Sequence, residues 1–151
     1  MRRLILLVTA LVLSISTLSA QTLPGERGKS PALRADYFPH RQYTFVWRNW
    51  SVVDKVNFAE GIGTSFEKVE DIACSMGLPR TQTIEKEWAT PRGYITVVRR
   101  NWHLLPYDQL LQLLGMSREE LKFRLVEDDF LFDKLGKVKP LCEPLHYTEP
   151  T

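Results

Sequence analysis

The chain has 151 residues, of which 20 are basic and 18 are acidic, so its formal net charge is +2. Two of the basic residues, Arg2 and Arg3, stand in an apolar N-terminal segment, and without them the basic and acidic residues balance at 18 each. This balance gives no support to nucleic-acid or acidic-lipid binding, and two cysteines are too few for a disulfide-stapled scaffold.

The first 20 residues have the three-part pattern of a secretory signal. Arg2 and Arg3 form a positive end, residues 4–15 form a nearly unbroken apolar run that is short for a membrane span, and small residues precede Ala20. We expect cleavage after Ala20 and an exported product in the periplasm, at the cell surface or outside the cell, with no membrane contact after cleavage. An uncleaved membrane anchor is the alternative.

Two segments are predicted to flank the folded part. Residues 21–42 are predicted to be a flexible linker, because Pro24, Gly25 and Gly28 interrupt a polar stretch that has no period. Residues 139–151 are predicted to be a Pro-rich tail without helix. One domain is therefore expected between these segments.

The folded part contains an internal duplication. Residues 43–79 align with residues 95–131 at a constant offset of 52, and eight of the 37 aligned positions are identical, where chance gives roughly two. The identical pairs are Thr44/Thr96, Val46/Val98, Arg48/Arg100, Asn49/Asn101, Trp50/Trp102, Gly63/Gly115, Ser65/Ser117 and Glu67/Glu119. The alignment predicts two pseudo-symmetric units: repeat unit 1 at residues 43–80, and a hairpin strand with repeat unit 2 at residues 81–138.

Each unit is predicted to contain a strand followed by a helix–turn–helix pair. Residues 43–48 and 94–100 are rich in β-branched and aromatic residues, which favour strands, and residues 81–88 are predicted to pair with the second of them in a hairpin. Gly63 and Gly115 are expected to end the first helices, and capping boxes, Thr64 with Glu67 and Ser117 with Glu120, are expected to open the second ones. Residues 130–132 are predicted to add a short strand. The predicted fold is α+β, with about four helices and a small antiparallel sheet.

Residues with catalytic chemistry are sparse. Asp128 and Asp129 form the densest acidic group, but neighbouring residues on a helix point in different directions, which favours a solvated surface. The three histidines, His40, His103 and His146, are scattered. Cys74 and Cys142 are compatible with a disulfide or with free thiols. No phosphate-binding loop or metal-ligand spacing occurs, so we predict no catalytic residue, no metal site and no cofactor.

The motif Arg-Asn-Trp, which occurs once in each unit, is the best candidate for a binding site. It comprises Arg48, Asn49, Trp50, Arg100, Asn101 and Trp102, with Trp47 and Arg99 adjacent. An exposed indole beside an amide and a guanidinium suits a sugar ring, because the flat ring stacks and the polar groups bind hydroxyls. The alternative is structural: the Trp fills the core under the following helix and the Asn caps that helix.

Longer motifs resemble the N-terminal region of large exported bacterial proteins. They are Ser75–Pro79, Tyr94–Gly115, Glu127–Phe132 and Lys134–Gly136. In that family, domains similar to glycoside hydrolases follow the region, so the resemblance implies a glycan-processing context and assigns no functional residue. A weaker similarity of topology, Tyr-Thr-x-Val followed by a helix, Gly-Thr-Ser and another helix, is to LysM-type modules, which bind N-acetylglucosamine polymers.

We interpret the chain as a non-catalytic accessory module of an exported, glycan-processing protein, with a glycan as its candidate ligand. The main alternative is a structural or protein-docking domain for a downstream catalytic domain. A third hypothesis, a small hydrolase that uses Asp128 or Asp129, has the weakest support. Exposure of Trp50 and Trp102 distinguishes the first two. Burial of both indoles would exclude them as a sugar platform, which requires an exposed ring, and would favour docking, whereas exposure on one side would favour glycan binding.

Overall fold

The computed structural model describes residues 21–28, 30, 40–128 and 130–150, so the predicted signal peptide lies outside the described residues. Unit 1 contains α1 (Arg41–Asn49), α2 (Lys55–Gly61) and α3 (Phe66–Ser75). Unit 2 contains α4 (Tyr94–Asn101), α5 (Tyr107–Leu114) and α6 (Arg118–Phe123), which continues into a π-helical turn (Arg124–Asp128) and the short α7 (Leu131–Lys134). The described part of the chain is helical and forms no β-sheet.

The predicted α+β fold with an antiparallel sheet is therefore wrong. The two predicted strands are the helices α1 and α4, residues 81–88 are irregular, and residues 130–132 lead into α7. The buried positions of α1 include 42, 45, 46 and 49, with Thr44 also buried, and those of α4 are 94, 97, 98 and 101. This i, i+3, i+4, i+7 spacing places one face of each helix on the core, and that burial outweighs the strand preference of the individual residues.

The duplication is visible in the positions of the helices. The first helices of the two units begin 53 residues apart, at Arg41 and Tyr94, and the second and third pairs begin 52 apart. Gly63 and Gly115 have positive φ values of 71° and 63°, which a glycine adopts without the steric penalty of a side chain. The turns after α2 and α5 therefore contain equivalent glycines, although α2 ends at Gly61, one position earlier in the repeat than the end of α5 at Leu114.

The third helices of the units begin after equivalent serines. Ser65 and Ser117 are the N-caps of α3 and α6. The predicted cap of α6 is confirmed, since Ser117 Oγ accepts a hydrogen bond from the Glu120 amide at 3.1 Å. The predicted cap of α3 is shifted by one residue, because Ser65 occupies the position predicted for Thr64 and makes no capping bond with its side chain.

Two hydrophobic clusters form the core, each built around one tryptophan of the repeated motif. Trp50 lies in the first cluster with residues of α1, α2 and α3, together with Leu104 and Leu105 from unit 2. Trp102 lies in the second cluster with residues of α4, α5 and α6 and the π-helical turn. Burial of the apolar side chains in these clusters is the main force that stabilises the helices.

Residues 21–28 pack against unit 2. This packing differs from the prediction that residues 21–42 form a flexible linker. Leu23 is 1% exposed and belongs to the second cluster. Tyr107 Oη donates a hydrogen bond to the Pro24 carbonyl at 2.6 Å, and Arg118 forms an ion pair with Glu26. This segment is therefore part of the folded domain.

The segment 140–150 forms no helix and is held by two glutamine side chains. Gln109 Nε2 donates to the Leu145 carbonyl at 2.5 Å, and Gln109 Oε1 accepts from the Leu145 amide at 2.7 Å. Gln42 binds the carbonyl and amide of Thr148 in the same way, at 2.9 and 3.0 Å. Leu145 is buried in the first cluster, so the tail closes the core.

Candidate functional site

The two Arg-Asn-Trp motifs meet at the centre of the fold through a pair of buried amides. Asn49 Nδ2 donates to Asn101 Oδ1 at 2.9 Å, and Asn101 Nδ2 donates to Asn49 Oδ1 at 2.7 Å. Each amide also donates to the carbonyl one helical turn earlier, Phe45 O and Val97 O, both at 2.8 Å. Because both side chains are fully buried, the pair satisfies their amide donors inside the protein.

The two arginines of the motif bind across the same contact. Arg48 Nη1 donates to the Arg100 carbonyl at 3.0 Å, and Arg100 Nη1 donates to the Arg48 carbonyl at 2.5 Å. Carbonyls in the last turn of a helix have no partner within the helix, and a cation at that end is favourable. Each unit thus caps the first helix of the other, and the reciprocal bonds define a pseudo-twofold axis between α1 and α4.

The two tryptophans of the motif are core residues. Trp50 is 4% exposed and Trp102 is 0% exposed, and their Nε1 atoms donate to the carbonyls of Pro79 at 3.1 Å and Val138 at 2.8 Å. Neither indole offers a free face, so the expectation that they stack on a sugar is wrong. The structural alternative holds for the tryptophans, although the asparagines end α1 and α4 and do not cap the following helices.

Two polar side chains that the sequence did not single out fix the turns after the motifs. Gln82 Nε2 donates to the carbonyls of Trp50 and Val53 at 2.9 and 2.8 Å. In unit 2, Lys139 Nζ donates to the equivalent carbonyls of Trp102 and Leu105 at 3.0 and 2.8 Å. Lys139 is buried, and this burial lowers the pKa of its ammonium group. In each unit, the turn after the motif is therefore held by a side chain from the segment that follows that unit in the sequence.

An open groove lies beside the pseudo-twofold axis. Its volume is about 1060 Å³, and it is lined by Trp47, Arg48, Trp50, Ser51, Leu78, Pro79, Thr83, Glu85, Arg99, Arg100 and His103. Trp47 is 56% exposed and stands on α1, two residues before the buried Asn49. Three lining pairs occupy equivalent positions in the two units: Trp47/Arg99, Arg48/Arg100 and Ser51/His103. The groove thus combines two halves of the repeat that differ in chemistry.

The groove is electropositive. Arg48, Arg99 and Arg100 line it, whereas Glu85 is the carboxylate among its lining residues. Glu85 Oε2 accepts a hydrogen bond from Trp88 Nε1 at 3.0 Å, and the Arg100 guanidinium lies 5.8 Å from the centre of the Trp88 ring. The pKa of His103 is below its ordinary value because of burial and the charges of Lys139 and Arg48. The site therefore suits polar or anionic ligands.

The remaining candidate residues do not assemble a reaction centre in the part of the chain described. Asp128 binds Arg124 at 2.7 Å, and Asp129 lies outside the described residues. Cys74 and Cys142 are free thiols, of which Cys142 lies 3.6 Å from the Lys139 ammonium beside a cavity of about 140 Å³. No cluster of three His, Cys, Asp or Glu side chains suited to a metal ion occurs among these residues.

Within residues 21–28, 30, 40–128 and 130–150, no helix combines the length and the apolar character that a membrane span requires. Comparisons of the chain with protein-family models, with curated proteins and with solved structures found no match, so a functional proposal rests on the residues of this chain.

Proposed function

We propose that this protein is a non-catalytic binding module of an exported, glycan-processing protein, and that it holds an oligosaccharide in the groove beside the pseudo-twofold axis. The observation that carries the proposal is the exposed indole of Trp47 in a groove lined by both apolar and polar side chains. Trp47 takes the stacking role that Trp50 and Trp102, being buried, cannot fill.

The groove has the two features that sugar recognition requires. A sugar ring presents an apolar face, and Trp47 supplies a flat ring on a helix whose other face is anchored in the core by Phe45 and Val46. The ring hydroxyls need directed hydrogen bonds, which Ser51 and Thr83 in the same groove supply. Because the helix that carries Trp47 is packed on the core, little conformational entropy is lost when a ligand binds, and this favours affinity.

The test is binding of oligosaccharides to the full exported chain and to its Trp47→Ala variant. Isothermal titration calorimetry against chitin, xylan and pectin oligosaccharides should find a ligand, and the variant should bind it about tenfold more weakly or not at all. Trp fluorescence gives a second readout, because Trp50 and Trp102 are buried and Trp47 is exposed.

Phe123→Ala is the matched control, since Phe123 is 50% exposed and does not line the groove. It should bind as the unchanged chain does, and circular dichroism should give the same helix content for all three proteins. Equal affinity of the unchanged chain and Trp47→Ala for the ligand would contradict the proposal, as would the absence of binding across the panel.

A second candidate function is docking to a protein domain. The large apolar side chains Phe123, Val126 and Phe130 are 50%, 42% and 61% exposed on or next to the π-helical turn, and groups of exposed apolar residues mark interaction surfaces. Docking to the downstream catalytic domain that the sequence resemblance implies should be lost in a Phe123→Ser, Phe130→Ser variant and retained in Trp47→Ala. Co-elution in size-exclusion chromatography measures the difference.

A further inference from the structure

The arginines of the groove differ in their partners from three other arginines of the fold, Arg80, Arg118 and Arg124. Arg80 lies 3.3 Å from Glu70 and 3.0 Å from Asp71, so two carboxylates neutralise one guanidinium. Arg118 likewise binds Asp108 and Glu26, and Arg124 binds Asp128 and Glu120. Acidic side chains thus neutralise these three arginines. Arg27 and Arg41 form no ion pair among the described residues, so what sets the groove apart is that it brings several such arginines together.

Arg48, Arg99 and Arg100 have no carboxylate partner among the described residues, although the chain contains 18 acidic residues. All three line one groove. One carboxylate, that of Glu85, lines the same groove, so positive charge is in excess there. Like charges in excess repel one another, and a bound anion removes that repulsion. Their concentration at one place therefore points to a ligand that supplies the negative charge.

Two of these arginines are held in place before any ligand binds. The bonds from Arg48 Nη1 and Arg100 Nη1 to the carbonyls across the axis use one of the five N–H donors of each guanidinium. The other donors remain for bidentate bonds to a carboxylate or sulfate group, which arginine forms better than lysine. Arg99 is exposed beside them at the position that corresponds to Trp47.

We propose that the groove selects acidic oligosaccharides, with Trp47 stacked on a sugar ring and Arg48, Arg99 and Arg100 bound to the carboxylate or sulfate groups of that sugar chain. This inference rests on the proposed function and names the class of glycan. Burial is the main cause of the lowered pKa of His103, and the charges of Lys139 and Arg48, which lower it further, agree with a positive potential in the groove.

The test compares acidic and neutral oligosaccharides of the same length on the full exported chain. Calorimetric titrations use a galacturonate hexamer, the same hexamer with its carboxyl groups reduced to alcohols, and a sulfated chondroitin hexasaccharide. The acidic ligands should bind at least about tenfold more tightly than the neutral one, and raising NaCl from about 50 to about 500 mM should shrink the difference. Tighter binding of the galacturonate hexamer identifies carboxylate as the bound group. Tighter binding of the chondroitin hexasaccharide, which carries both groups, shows that sulfate adds to the affinity.

Arg99→Gln is the informative variant, because this exposed side chain makes none of the bonds across the axis. It should weaken binding of the acidic hexamer about threefold to tenfold and leave binding of the neutral hexamer unchanged. Arg80→Gln, which removes a paired arginine outside the groove, is the control and should change neither affinity.

The outcomes separate this inference from the proposed function. Equal affinity for the acidic and the reduced hexamer, with both lost in Trp47→Ala, would overturn the selection of acidic sugars and leave oligosaccharide binding intact. Absence of binding by all three hexasaccharides would overturn this inference, and the wider panel then decides the proposed function. Equal loss of acidic binding in Arg99→Gln and Arg80→Gln would attribute the effect to overall charge and overturn the role of the groove.

Discussion

Replacing the two buried asparagines with leucine, singly and together, tests whether the amide pair closes the contact between the two units. In the single variant Asn101→Leu, Asn49 loses the acceptor of one N–H group and the donor to its Oδ1 atom. Both groups remain fully buried, because the surrounding helices α1 and α4 hold Asn49 at 0% exposure. Asn49→Leu has the mirror effect on Asn101.

The expected loss of stability follows from these orphaned groups. Each unsatisfied polar group in a protein interior costs about 1–3 kcal/mol, so each single variant should lower the free energy of unfolding by about 2–5 kcal/mol. The double variant orphans neither amide and has two side chains of similar volume packed together. It should therefore be destabilised by no more than about the loss of one single variant, which gives a coupling energy of roughly 2 kcal/mol or more.

Urea denaturation followed by circular dichroism measures the four free energies of unfolding. Fluorescence of Trp50 and Trp102, which lie in different clusters, should give the same midpoint if the units unfold together. Asn57→Leu is the control, since this half-buried amide forms no such pair, and it should change stability by less than about 1 kcal/mol. If the double variant loses the sum of the two single losses, the amides are not coupled and the reasoning fails.

Three further predictions concern other parts of the fold. Gln82→Ala and Lys139→Ala should each lower the free energy of unfolding by about 1–4 kcal/mol, because each leaves two turn carbonyls without a donor, and a loss below about 0.5 kcal/mol in thermal denaturation would contradict this role. Leu23→Ala should cost about 2–4 kcal/mol by the same assay, whereas a neutral result would restore the prediction of a flexible N-terminal segment. The pKa of His103 in the folded chain lies below the ordinary value of about 6.5, so the unfolded chain binds this proton more readily. The free energy of unfolding should therefore decrease as pH falls from 6.5 through the folded pKa. An anionic ligand that offsets the charge of Arg48 should raise the pKa of His103, so the ligand should bind more tightly as pH falls over the same range. If an NMR titration of His103 gives the same pKa with and without ligand, this coupling is refuted.

The sequence predicted the repeat and its turns but assigned the wrong structure to one element of each unit. Residues 43–48 and 94–100 contain Val, Thr, Tyr and Phe, whose β preference suggested strands. The helical spacing was also present, but its buried stripe includes polar residues, Gln42, Asn49 and Asn101, which a search for apolar positions misses. Their burial is favourable because they pair with one another and with the tail, which depends on the tertiary fold.

The candidate site could be predicted only in part, for a similar reason. The Arg-Asn-Trp repeat marked the right region, but local sequence does not show which of two indoles three residues apart is buried, and it is Trp47 that is exposed. Gln82 and Lys139 gave no signal, because they stand 32 and 37 residues after Trp50 and Trp102 and differ in residue type. Their equivalence is apparent only from the carbonyls that they share.

The pairs that line the groove have a consequence for the direction of a bound chain. Two identical units related by an exact twofold axis would place the same residue at both ends of the groove, so a ligand would bind equally well in either direction. Here the equivalent positions hold Trp47 and Arg99, and a second pair holds Ser51 and His103. At the first of these pairs of equivalent positions, unit 1 therefore contributes an aromatic ring to the groove and unit 2 contributes a guanidinium. A linear chain with distinct ends makes different contacts with the two units. It should therefore bind in one preferred direction, although the scaffold is nearly symmetric.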